Sequence, residues 1–148
     1  FRAGGASMVV PYLACMLAAA GARHIPARIL PSIQAVEGGY TGSVHANADG
    51  SADLGVMQIN TRWLQPLAAT ITAWGHRPNN TAEAARLLIW NPCVNIQAAA
   101  LILQAEYVWA GRNWIAAVGN YHSHTPALHQ AYLARATEEA YRLFGPAG

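Results

Sequence analysis

Apolar positions recur at helical spacing along most of the chain, broken by one polar, glycine-rich excursion in its first half. Tyr12, Leu13, Met16 and Leu17 share the spacing of an amphipathic helix from about Pro11 to Ala22, with the proline suited to a first turn. Ile29, Ile33 and Val36 lie on one face of a second helix from about Pro26 to Glu37, stopped by Gly38-Gly39. Pro31 falls inside that run and removes a hydrogen bond, so the pattern predicts a kink or a helix that begins near Leu30. From Tyr40 to Leu54, Gly, Ser, Asn and Asp surround an isolated Val44. This reads as a loop or a small irregular hairpin turning at Ala48-Asp49-Gly50.

Helical periodicity returns after Asn60, an N-cap candidate, in TRWLQPLAATI, with a break expected at Pro66. WGHRPNN is a loop, and Asn80 with Glu83 three residues on forms a capping-box-like start for a helix through Trp90. Asn91-Pro92 punctuates the chain before its strongest helix, Asn95 to Ala110, which ends at Gly111. A short helix from Trp114 to Gly119, a YHSHT loop and a last helix from Thr125-Pro126 to Leu143-Phe144 complete the pattern. There is no internal repeat or linker, so residues 1–148 are expected to form one domain, all-α or α+β.

Composition narrows the class. The chain has 148 residues, 53% hydrophobic and only 11% charged, which excludes a disordered tail and allows a real core. A net charge of +2 with no basic cluster is too weak a footprint for nucleic acid, although all nine basic residues are Arg. No apolar run reaches the roughly 18–20 residues that a membrane helix needs. The opening stretch, with one Arg, an apolar run and small residues, has the outline of a signal peptide. It starts at Phe1, however, and reads as a mature fragment. Cys15 and Cys93 form no CxxC and no metal-ligand spacing. In a cytosolic protein they would be two buried thiols, and in an exported one a long-range disulfide.

Glu37 is the first candidate for chemistry. It closes an apolar helix face and precedes a Gly-Gly break that lets other backbone come close. A carboxyl held there is expected to be partly desolvated, which raises its pKa and suits a proton donor; the plain alternative is an exposed Glu near a helix end. Asp53, in DGSADLGVMQINTRW, is either a turn or cap residue or a second carboxylate. His122, His124 and His129 have no carboxylate or cysteine completing a set, so no metal or other cofactor is expected. Among the aromatics, Tyr40, Trp63 and Trp74 fall near these segments and are candidates to stack on sugar rings. Core positions are the alternative, evenly weighted for Trp63 and favoured for the other two, and Trp90, Trp109 and Trp114 read as core.

Four segments in order, AVEGG, DLGVMQIN, NPCVNIQAAALIL and WIAAVGNYHS, resemble the lysozyme-like superfamily. The likeness spans most of the chain and is closest to transglycosylase SLT-type domains, especially the small ones attached to secretion and conjugation machinery. It implies a mainly α, lysozyme-like fold: a helical bundle around a long central helix, with a small loop or β-hairpin flanking a sugar cleft. By the same resemblance Glu37 is the catalytic acid/base, Met57 and Gln58 are the floor and polar wall of the cleft, and Tyr121 orients the carboxyl or the substrate. Asn60 caps the following helix, an Asn in NPCVN caps the long one, and Cys15 pairs with Cys93. The implied partner is peptidoglycan, cut without water by a single Glu, in the periplasm or elsewhere outside the cytoplasm, with a secretion, conjugation or pilus apparatus as the setting. DGSADLGVMQINTRW also resembles the animal c-type lysozyme signature, in which Asp53 would be a second catalytic carboxylate of a hydrolase. Two departures stand out: Gly38 where the family usually has Ser, and His122 where it usually has Asn. They keep a non-catalytic peptidoglycan-binding or assembly module as a third reading.

Overall fold

Prolines, glycines and asparagine caps set where the elements begin and end. The computed structural model describes residues 10–76, 78 and 80–146; the signal-like residues 1–9 and two positions of the WGHRPNN loop lie outside them. The described residues form seven α-helices and one three-stranded sheet: α1 (Leu13–Arg23), α2 (Ile29–Glu37), β1 (Val44–Ala46), β2 (Ala52–Leu54), β3 (Ile59–Asn60), α3 (Leu64–Ala73), α4 (Thr81–Trp90), α5 (Pro92–Trp109), α6 (Trp114–His122) and α7 (Pro126–Phe144). A 3-10 turn, Thr61–Trp63, precedes α3. The fold is thus mainly α and lysozyme-like, as the resemblance implied. Among the described residues, no single helix is long and apolar enough to cross a membrane.

The chain divides into two units, the described residues up to Val36 with those from Ala100 onward, and Glu37–Ala99. The first unit buries Met16, Ala20, Ile25, Leu30, Ile33, Leu103, Ala117, Tyr132 and Ala136. Arg23 Nη1 donates to Gln104 Oε1 at 2.7 Å, and Arg28 Nη1 donates to the Gly145 carbonyl at 2.8 Å. The Tyr107 and Trp114 rings stack at 3.9 Å. Helix α6 meets α7 where the His129 ring fills the space a Cβ would take at Gly119, and His129 Nδ1 lies 2.9 Å from Asn120 Oδ1.

The second unit carries the sheet, ordered β1-β2-β3 and antiparallel throughout. Val44 pairs with Leu54, and Asp53 is flanked by His45 on one side and Asn60 on the other. Only the β2–β3 side reaches the core: β1 is exposed along its whole length, whereas Leu54 and Ile59 are buried. Leu67, Ile71, Ala84, Leu88, Val94 and Ile96 also lie in this unit's apolar interior.

Several boundaries differ from the sequence expectation for identifiable reasons. Helix α2 begins at Ile29, so Pro31 sits in the first turn, where its missing N–H costs nothing. The same holds for Pro66, which does not break α3 because the α-helix starts only at Leu64. Helix α5 begins at Pro92 rather than Asn95, capped by Asn91 Oδ1 accepting from Val94 N–H at 3.1 Å. Gly119 is not a stop: α6 runs through it to His122, and the glycine makes room for His129. Two tryptophans read as core are on the surface, Trp90 63% and Trp109 70% exposed, and Tyr40 is 62% exposed. The buried positions of α4 are Ala84 and Leu88, so Trp90, two residues further, faces away from them.

Candidate active site

Glu37 is the last residue of α2 and is half-buried. The helix ends there because Gly38 takes a left-handed φ of +69°, the conformation in which a non-glycine residue is strained. Nothing occupies the space of a Cβ at Gly38, so backbone geometry rather than crowding favours glycine where the resembling family carries Ser. One residue on, Gly39 is buried, and a Cβ there would land on the carbonyl oxygens of Gly55 and Val56. The backbone that leaves Glu37 therefore lies directly on the backbone of the DLGVMQIN segment.

That contact is the first of two layers. Gly55 has φ +68°, and a Cβ on it would collide with the Leu88 carbonyl and the Asn95 amide. Asn95 is fully buried and supplies the second layer. Its Nδ2 donates to the Leu54 and Leu88 carbonyls at 2.8 and 2.9 Å, and its Oδ1 accepts from Met57 N–H at 2.8 Å. One amide thus fixes both sides of the Leu54–Met57 turn to the junction of α4 and α5. The expected role of an Asn as the cap of the long helix belongs to Asn91; Asn95 is a core bridge. A single Asn inside the apolar run CVNIQAAALIL was the available sign, since a buried amide requires partners.

Gln58 and Tyr40 are joined through Ser43. Gln58 has φ +54°, and its Nε2 donates to the Gly55 carbonyl at 3.0 Å and to Ser43 Oγ at 3.3 Å. Ser43 Oγ accepts from Tyr40 N–H at 3.1 Å, and Gly55 N–H donates to the Ser43 carbonyl at 2.8 Å. Ser43, not singled out in the sequence, thereby ties the loop after Glu37 to the Gly55–Gln58 turn. Tyr40 stands open to solvent, available to a ligand. Met57 has no accessible surface, the position of a core methionine rather than of a residue open to a sugar.

The two aspartates of the hairpin are both engaged. Asp53 Oδ1 accepts from Asn60 Nδ2 at 2.9 Å, and Asn60 Oδ1 accepts from Arg62 N–H at 3.0 Å, capping the 3-10 turn that carries Trp63. Trp63 is half-buried, with the Arg62 guanidinium 5.5 Å from its ring centre. Asp49 Oδ1 accepts from Ser51 Oγ at 2.6 Å and from Ser51 N–H at 2.9 Å, and these bonds hold its carboxyl below the usual carboxylate range. In the other unit, Tyr121 is half-buried near the end of α6. The next residue, His122, stacks on the Tyr132 ring at 4.9 Å with planes 4° apart, a packing reason for a flat ring at that position. Cys15 and Cys93 are both disulfide-bonded.

The family model described as the transglycosylase SLT domain matches residues 14–144. The chain is 31% identical over 127 residues to Protein IpgF of Shigella flexneri, covering 84% of this chain and 76% of that protein. It is 29% identical over 139 residues to Protein IpgF of Shigella sonnei, covering 91% of this chain and 84% of that protein.

Proposed function

The chain belongs to the transglycosylase SLT domain family, and we propose that it is a peptidoglycan lytic transglycosylase with Glu37 as its acid/base. It would cut the β-1,4 bond between N-acetylmuramic acid and N-acetylglucosamine without water. The observation that carries this reading is the seat of Glu37, a carboxyl at a helix end whose following backbone is laid on Gly55-Val56 with no side chain between. Groups built on backbone so closely packed keep a fixed geometry, which proton transfer requires.

In the proposed reaction, Glu37 donates its proton to the glycosidic oxygen as the bond from C1 of the muramyl sugar breaks. The carbonyl oxygen of that sugar's own N-acetyl group closes on C1. The Glu37 carboxylate then takes the proton of the sugar's 6-hydroxyl, whose oxygen attacks C1 and displaces the acetamido oxygen. Glu37 ends as it began, protonated, and the product is a 1,6-anhydro-muramyl residue. Attack within one sugar ring gains from proximity, so neither a second carboxylate nor an activated water is needed.

Asp53 fits this scheme as a structural residue. Its bond from Asn60 joins β2 to the cap of the Trp63 turn, which is work enough for its carboxylate. Gln58, Tyr40 and Trp63 are the proposed sugar contacts on the unit that carries Glu37, and the role proposed for Tyr121 rests on the family resemblance alone. Export to the cell envelope fits a chain with both cysteines disulfide-bonded. A secretion, conjugation or pilus apparatus that must pass the wall is the proposed setting. Replacing Glu37→Gln keeps the shape and removes the acid. Release of soluble muropeptides from purified sacculi should fall at least a thousandfold. Retained release would remove Glu37 from the reaction, and binding of sacculi by wild type without release would make the chain a non-catalytic module.

A further inference from the structure

Trp90 is an exposed aromatic that neither the core nor the proposed site uses. Its ring is not loose. Gly42, with φ +92°, lies so close that a Cβ there would stand 2.8 Å from Cζ3 and 3.0 Å from Cη2 of the indole. Gly42 N–H donates to the Ile89 carbonyl at 2.8 Å, which holds that backbone against the last turn of α4. The benzo edge is therefore anchored on a glycine that only glycine can replace, while 63% of the residue remains in water. A large apolar ring kept rigid and wet is a preformed platform, since little conformational entropy remains to be lost when a ligand covers it.

The platform borders a pocket of about 680 Å³, within the range of ligand sites, that is also lined by His76, Glu83, Arg86 and Asn91. Asn91 Oδ1 is committed to Val94 N–H, so its side chain meets a ligand through the Nδ2 amide hydrogens. Arg86 brings a fork of donors, and Glu83 brings a carboxylate. An indole face beside amide, guanidinium and carboxylate groups matches a pyranose ring, whose C–H face is apolar and whose rim is hydroxyl and acetamido. A protein-binding surface would instead be depleted of charge at its centre.

We propose that Trp90, with Arg86, Glu83 and Asn91, forms an accessory subsite for a β-1,4-linked N-acetylhexosamine ring. The platform stands on the geometry alone, while the choice of an amino sugar rests on the reading of the chain as a peptidoglycan enzyme. Such a subsite holds the polymer by a second point and raises the local concentration of glycan at the enzyme.

The test is a titration of the full chain carrying Glu37→Gln with tetra-N-acetylchitotetraose, read at the indole Nε1–H resonances of its five tryptophans. The Trp90 signal is assigned by its loss in Trp90→Ala. The expected result is saturable movement of the Trp90 signal, with Arg86→Ala weakening the affinity read there on the order of tenfold, a difference of about 1.4 kcal/mol. The Trp109 signal, from an equally open ring that lies against His124 instead, should not move. A Trp90 signal that stays still while other tryptophans saturate overturns the proposal. So does saturation by a free L-Ala-D-Glu-containing stem peptide but not by the sugar. Failure of wild type to release muropeptides would count against the lytic reading alone, because binding at Trp90 is measured without turnover.

Discussion

Replacing Asn95→Ala isolates the residue that holds the proposed site together. The side chain is wholly buried and its three bonds go to backbone groups of Leu54, Met57 and Leu88. Removing it takes three hydrogen bonds from buried backbone groups, one N–H and two carbonyls, each loss costing about 1–3 kcal/mol if nothing moves to meet it. Local relaxation recovers part of that, and single substitutions beyond about 5 kcal/mol are exceptional, so about 4 kcal/mol is expected. With an unfolding entropy near 2.1 cal/mol/K per residue, a chain of this length has about 0.31 kcal/mol/K at its midpoint. The loss therefore lowers Tm by about 13 °C, readable by circular dichroism or calorimetry with the disulfide intact. Activity measured well below the new Tm should also fall, because the Leu54–Gln58 turn loses its tether to α4 and α5. A loss below about 1 kcal/mol would refute the argument, since it would mean that these backbone groups find other partners at no cost.

Three further outcomes follow from the same geometry. Gly39→Ala pushes a methyl into the Gly55 and Val56 carbonyls; stability should drop by about 2 kcal/mol and sacculus turnover by at least tenfold, both absent if that backbone contact is loose. Asp53→Asn keeps an oxygen to accept from Asn60, so turnover within about threefold of wild type is expected, whereas a second catalytic carboxylate would lose far more. The folded-state pKa of Asp49 is depressed, so its contribution to the hairpin is present above the ordinary carboxylate range and is lost as pH falls through the lower folded value. Melts of wild type and Asp49→Asn should accordingly differ at pH 6 and converge near pH 2; a difference that grows with acid would reverse the sign.

What could be read from the sequence was what depends on local chemistry. The Gly38-Gly39 stop, the hairpin turn at Ala48-Asp49-Gly50 and the caps at Asn60 and Asn80 follow from residues acting on their own neighbours, and the structure has them. The prolines were legible only in part, because a proline in a first turn and one in a helix interior look alike until the start of the helix is known. Gly119 was misread for a similar reason: its missing side chain answers to His129, a residue on another helix. The same limit hid Ser43 and the bridging role of Asn95, whose partners are separated from them by loops and strands. Trp90 could have been placed from the register of α4 alone, since Ala84 and Leu88 already define its buried face.

The central claim is that Glu37 breaks the glycan strand by intramolecular attack. The most direct measurement is mass spectrometry of muropeptides released from sacculi by wild type and by Glu37→Gln. The account predicts 1,6-anhydro-muramyl products, each lighter by one water than the hydrolysed species, and none above background from the variant. Products that carry the added water, or the same products from Glu37→Gln, would contradict it.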